Sequence, residues 1–231
     1  MRPQDSEKFD RWMDFIYKTV YHEPDTPKFH QVLIDKVIHD IVLPLDLDKD
    51  CTVYDIGCGS GYFMEKMREE GYVNLTGLTM DDDDIAICKS KQLTALKQDF
   101  TFSDLESDSA DLIFCRQAIE HSMFPMLTLL EFNRIAKLGS KIYIEVPAPD
   151  MDRKHEDNLN HFSIMGLKMW KALFDRAGFF VDYAEPYDFG ITDEIASGIF
   201  VDQKERFYVC LLTKTADIMT RDPNIININN I

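Results

Sequence analysis

The stretch Asp55-Ile56-Gly57-Cys58-Gly59-Ser60-Gly61 sets one carboxylate and three alternating glycines at the end of the apolar run Val53-Tyr54. A carboxylate there can hold a cationic group. The glycines let the backbone approach a ligand closely, because no Cβ stands in the way. Further along, Glu120-His121, His155 and His161 bring imidazoles, the side chains suited to proton transfer near neutral pH. Asp81-Asp82-Asp83-Asp84, and the loop residues Asp150, Asp152, His155 and Glu156, are donors that a hard cation could use. Acids in a first helical turn are also favoured by the helix dipole with no ion present. None of these spacings matches a tight ligand template, so no metal is expected. The cysteines, Cys51, Cys58, Cys88, Cys115 and Cys210, are odd in number and form no C-x-x-C pair, which argues against a disulfide framework or a zinc ribbon.

Positioning these groups requires an α/β frame. The segment ending at Ile56 reads as a buried strand, and a helix begins near Tyr62. From Cys51 onward strands and helices alternate, which predicts a mostly parallel, seven-stranded Rossmann-like sheet with helices on both faces. Expected strands, with their exits, are 74–80, 110–121, 141–147, 179–184 and 206–213. Gly71, Gly139 and Gly178 mark helix ends, and Ser163 reads as the cap of a helix carrying Leu167, Trp170, Leu173 and Phe174 inward. Residues 8–20 place Phe9, Trp12, Met13, Ile16 and Tyr17 at helical spacing, and a second helix starts near Pro27 and stops at Pro44. The expected division is a helical cap over 1–48, a ligand-binding domain over 49–215, and an extended or disordered tail over 216–231. In this topology ligands bind at the carboxyl edge of the sheet. Asp55, Glu120-His121 and the polar loop 147–162 all fall on that edge.

The pattern D-x-G-x-G-x-G resembles motif I of the class I methyltransferases that use S-adenosylmethionine. Other segments follow in that family's order. Gly77-Leu78-Thr79-Met80 is similar to the ribose loop of the cyclopropane-fatty-acid-synthase branch; Lys97-Gln98-Asp99-Phe100 is similar to the adenine loop; Ala110 to His121 resembles the fourth strand with its terminal Glu-His; Lys141 to Pro147 resembles the fifth. The resemblance covers roughly residues 50–213. It implies an S-adenosyl-L-methionine site made by Asp55, Gly57, Cys58, Gly59, Thr79, Met80, Asp84, Asp99, Phe100, Arg116 and Gln117. Thr79 stands where most members carry an acid; in the branch named, Thr79 and Asp84 would share the ribose, and Asp99 would accept from the adenine amino group. The N-terminal helices would form a lid, with Trp12, Tyr17, Tyr21, His155 and His161 lining an acceptor pocket. His121, His155 and His161 are the candidate bases.

Composition narrows the acceptor. The 231-residue chain carries a net charge of −16, and its densest basic group is Lys89-Ser90-Lys91. Nucleic-acid enzymes normally present a basic face to phosphates, so a small-molecule or lipid-like acceptor is expected rather than nucleic acid. No apolar run approaches the roughly 18 residues of a membrane span, and the first residues lack a signal-peptide core; a cytoplasmic enzyme is the expectation, of unspecified oligomeric state. Two other readings stand beside methyl transfer. One is an NAD(P)-dependent oxidoreductase, whose fingerprint needs a glycine where Tyr62 stands. The other is a non-catalytic binding protein on the same fold.

Overall fold

The computed structural model describes residues 3–19, 28–151, 154–190 and 204–218. Seven strands form one sheet: β1 (Thr52–Ile56), β2 (Asn74–Thr79), β3 (Thr94–Lys97), β4 (Ala110–Arg116), β5 (Ala136–Pro147), β6 (Phe179–Gly190) and β7 (Lys204–Lys214). Their spatial order is β3-β2-β1-β4-β5-β7-β6. The order reverses between β1 and β4, which opens a crevice at their carboxyl ends.

The sheet is mixed, which corrects the mostly parallel expectation. β1 to β5 pair in parallel, whereas β7 runs antiparallel to both β5 and β6. Parallel neighbours need a crossover that carries the chain back across the sheet. The β6–β7 register sets Gly190 opposite Lys204, so β7 starts beside the end of β6 and runs the other way.

Six α-helices accompany the strands: α1 (Pro3–Thr19), α2 (Lys28–Val37), α3 (Tyr62–Glu69), α4 (Asp82–Ser90), α5 (Pro125–Ile135) and α6 (Leu167–Arg176). Alternate residues of β4 feed two core layers. Ile113 and Cys115 join Leu129, Phe132, Trp170 and Phe174 from α5 and α6. Leu112 and Phe114 join Phe63, Met64 and Met67 of α3, and the Phe63 ring stacks on Phe114 with centroids 3.7 Å apart. This period-2 division is what a strand buried on both faces requires. Ile34 and Val37 of α2 enter the α3 layer. α1 lies at the opposite edge, with Phe9 against Phe102 and Phe124 at 5.8 and 6.1 Å.

Two local expectations fall differently. α6 begins at Leu167 after Gly166, and the Ser163 hydroxyl instead donates to the Ser122 carbonyl at 2.7 Å. Tyr21, Asp152 and the tail beyond 218 lie outside the described residues. No helix among the described residues is long and apolar enough to cross a membrane.

Candidate active site

The glycine turn leaves β1 in a conformation that side chains resist. Gly57, Gly59 and Gly61 have φ of 72°, 49° and 81°, in the left-handed region that costs an L-residue roughly 1–2 kcal/mol. The amides of Gly57 and Cys58 both donate to the Leu78 carbonyl at 2.9 Å, which ties the turn to the end of β2. A Cβ on Gly57 would stand 2.4 Å from the Ala118 Cβ, so the turn and the loop after β4 close together only because that side chain is missing.

Asp55 ends β1 with 3% of its surface exposed. Its Oδ2 has no hydrogen-bond partner among the described residues, and burial pushes its carboxyl well above the usual aspartate range. A buried carboxylate in that state is poised to receive a cationic donor. Cys58 sends its thiol inward, where it and the Cys88 thiol each donate to the Gly59 carbonyl at 3.5 Å. The adjacent Cys88, with burial behind it, holds the Cys58 thiol far above its ordinary value. The thiol packs under Gly77, where a Cβ would come within 2.6 Å of it. The backbone of Cys58 is the part left for a ligand.

At the end of β2, the Thr79 hydroxyl donates to Asp84 Oδ2 at 3.2 Å. The sequence distance of five residues is bridged because Asp81 caps α4, its carboxylate accepting from the amides of Asp83 and Asp84. The rest of the acidic run is used locally, with Asp82 paired to Lys97 at 2.6 Å. Met80 is exposed beside Thr79. After β3, Asp99 Oδ1 accepts from the Thr101 amide at 2.7 Å, and Oδ2 accepts from the Tyr17 hydroxyl at 2.7 Å. Burial, then Asp99, raises the Tyr17 phenol. Tyr17 therefore meets the predicted adenine loop, and Trp12 is 62% exposed. Phe100 packs half-buried against the core.

The end of β4 carries a network that sequence reasoning reached only in part. Arg116 is buried and forms an ion pair with Glu145 at 3.0 Å. Its guanidinium nitrogens also lie 3.2 Å from His30 Nδ1. Gln117, with φ of 50°, donates its side-chain amide to Glu145 at 3.2 Å. Tyr143 donates to the same carboxylate at 2.8 Å, and burial, then Glu145, holds the Tyr143 phenol up. Glu145, Tyr143 and His30 had no place in the predicted site. A charge inside the apolar run Ile142–Val146 was the available signal, since buried carboxylates are seldom without a partner. The non-glycine left-handed turn at Gln117 is the kind of strain that concentrates at functional sites.

The three histidines converge from two loops. His121 and His161 meet edge to face with ring centroids 4.8 Å apart, and His155 stacks behind His161 at 5.5 Å. His155 is 5% exposed and also touches Phe207, whereas His121 and His161 are half-buried. The loop after β5 is fastened to the turn after β4, for the amides of Phe162 and Ser163 both donate to the Glu120 carbonyl. Glu156 of that loop accepts from the Asp150 amide, and such backbone bonds lower its carboxyl.

The carboxyl ends of β1, β2 and β3 thus carry in turn the buried Asp55 carboxyl and the glycine turn, the Thr79–Asp84 pair, and Asp99. These residues could hold a donor that offers an ammonium, a ribose and an amine-bearing ring.

Known proteins resemble this chain in sequence and in fold. The chain is 29% identical over 98 residues to a ubiquinone biosynthesis O-methyltransferase of Vibrio atlanticus, covering 39% of this chain and 41% of that protein. It is 32% identical over 114 residues to a methoxy mycolic acid synthase of Mycobacterium tuberculosis, covering 47% and 38%. The matched segments span about two-fifths of each relative. Among solved structures, an S-adenosylmethionine-dependent methyltransferase of Archaeoglobus fulgidus shares the fold with a TM-score of 0.60 at 21% identity, covering 78% of this chain and 94% of that one. The [4+2]-cyclase SpnF does so with a TM-score of 0.64 at 15% identity, covering 85% and 84%. A family model described as a methyltransferase domain matches residues 28–184, well over half of the chain, and the protein belongs to that family.

Proposed function

We propose that this chain transfers a methyl group from S-adenosyl-L-methionine to a small-molecule or lipid-like acceptor. The observation that carries the reading is the buried, orphaned Asp55 carboxylate beside a glycine turn closed against Ala118. Asp55 would hold the donor's ammonium, the turn backbone its methionine part, Thr79 and Asp84 its ribose hydroxyls, and Asp99 with the backbone of Phe100 its adenine. Met80, Arg116 and Gln117 complete the rim. The bound donor supplies an electrophilic methyl on a sulfonium.

The protein's own task is then alignment, which can supply about 7–11 kcal/mol through proximity. Arg116 is fixed by Glu145 and His30, so the β4 edge is a rigid wall for the donor. The acceptor side is the space between α1 and the loop after β5. An acceptor that must lose a proton finds His121 and His161 there; His155, buried behind His161, acts by holding its neighbour in place. The names of the two relatives, one a quinone-pathway O-methyltransferase and the other a mycolic acid synthase, favour an apolar acceptor. The −16 net charge disfavours a polyanion such as nucleic acid.

Calorimetry with S-adenosylhomocysteine and with NAD tests the reading. Binding of the first and not the second is expected. Binding of NAD alone would replace it with the oxidoreductase reading. Binding of S-adenosylhomocysteine with no methyl transfer to any hydroxylated quinone or fatty-acyl acceptor would favour a cyclase-like or purely binding role.

A further inference from the structure

The geometry points to a divalent transition-metal site made by Glu120, His121 and His161. One ligand atom from each lies within 4.8 Å of the other two. Two imidazoles with one carboxylate suit iron(II), cobalt(II), manganese(II) or zinc(II) better than calcium or magnesium, which prefer all-oxygen sets.

The outer contacts are those a metal site needs. His121 Nδ1 lies 3.2 Å from the Asn160 carbonyl, and His161 Nδ1 lies 2.9 Å from the His155 carbonyl. A carbonyl only accepts, so each Nδ1 carries a proton, and in the neutral ring that leaves Nε2 as the nitrogen with the lone pair. Fixing the imidazole tautomer in this way is how outer contacts orient metal-ligating histidines. The Asn158 side-chain amide, 3.1 Å from His161 Nε2, agrees with an acceptor there and would swing aside when the ion enters. Glu120 is 1% exposed, so its carboxylate sits in a low-dielectric setting where a cation is strongly favoured.

The frame is rigid as well. Phe162 and Ser163 bond the Glu120 carbonyl, and Ser163 Oγ bonds the Ser122 carbonyl, so the segment carrying His161 is stapled to the turn carrying Glu120 and His121. Ligands about 2.1 Å from an ion stand roughly 3.4 Å apart in a tetrahedron. The group therefore closes by at most about 1.4 Å on binding, within reach of side-chain rotation. Three protein ligands leave coordination positions open on the half-buried histidine side for water or a hydroxyl oxygen; with the ion bound, His121 and His161 serve as ligands and not as bases.

Untagged, chelator-treated protein titrated with cobalt(II) tests this in the absence of any methyl donor, so the result stands apart from the methyltransferase reading. One equivalent per chain is expected, with visible ligand-field bands and no sulfur-to-cobalt band in the near ultraviolet. His161→Ala should abolish that uptake. Glu120→Gln, which keeps the size of the buried side chain, should weaken it at least tenfold. Zinc(II) should displace the cobalt. Absence of stoichiometric uptake, uptake unchanged in both variants, or a sulfur-to-cobalt band lost in Cys58→Ser, Cys88→Ser would overturn the assignment.

Discussion

The Tyr17 hydroxyl of α1 donates to Asp99 Oδ2 at 2.7 Å, across 82 positions of sequence. The carboxylate proposed to accept from adenine is thus already engaged by the first helix. In this arrangement α1 lies over the adenine end of the crevice, with Phe9 seated between Phe102 and Phe124. An adenine bound as proposed would compete with Tyr17 for the Asp99 carboxylate.

Removing that competition should strengthen cofactor binding. Tyr17→Phe deletes a bond of about 0.5–1.5 kcal/mol net, so S-adenosylhomocysteine affinity should rise about two- to tenfold by calorimetry. Weaker binding would show that the Tyr17 hydroxyl supports the cofactor rather than excluding it.

In the proposed site the Thr79–Asp84 pair holds the ribose. Thr79→Val should weaken S-adenosylhomocysteine binding by about 1–3 kcal/mol, the cost of leaving a buried polar partner unmatched. Asp84→Ala should cost a similar amount. Wild-type dissociation constants in both variants would place the ribose elsewhere.

The two glycines at 57 and 71 separate conformation from crowding. Both have positive φ, yet a Cβ on Gly71 meets nothing within 4 Å while one on Gly57 meets Ala118 at 2.4 Å. Gly71→Ala should cost roughly 1–2 kcal/mol from the left-handed backbone alone. Gly57→Ala should add about 1–3 kcal/mol of overpacking and also lose cofactor affinity. Urea denaturation of the two variants compares them; equal losses would mean that the loop after β4 yields without cost.

Asp55 links stability to pH. Its carboxyl is raised by burial, so the folded chain binds its proton more tightly than the unfolded one does. The stability it contributes is complete below about pH 4, the ordinary aspartate value, and is lost as pH rises through the folded-state value. Asp55→Asn should flatten that decline and raise the melting temperature of the ligand-free protein at pH 7–8. The same variant should bind S-adenosylhomocysteine less tightly, because the ammonium loses its counter-charge. Melting curves from pH 4 to 8 that are parallel for the two proteins would refute the linkage.

Much of the frame is written locally. The strand–glycine–helix order around Asp55 specifies the turn, because only glycine tolerates three left-handed positions in such a short stretch. Buried strands read as apolar runs and the helices as 3.6-residue patterns, so the α/β alternation and four of the five parallel strands, all but β3, were legible in the sequence. The resemblance named Thr79 and Asp84 as ribose partners; the bond between their own side chains came only from the structure.

What sequence periodicity does not carry is direction and long-range proximity. A strand has the same alternation whether its neighbour runs with it or against it, so the reversed β7 became visible only in the β6–β7 register. The hub at Glu145 needed Arg116, Gln117 and Tyr143 to arrive from two strands. Spacing alone separates His121 from His161 by 40 positions and offers no ligand template. Folding brings them together because parallel strands β4 and β5 deliver their following loops to the same edge, and backbone bonds to the Glu120 carbonyl then hold those loops in register.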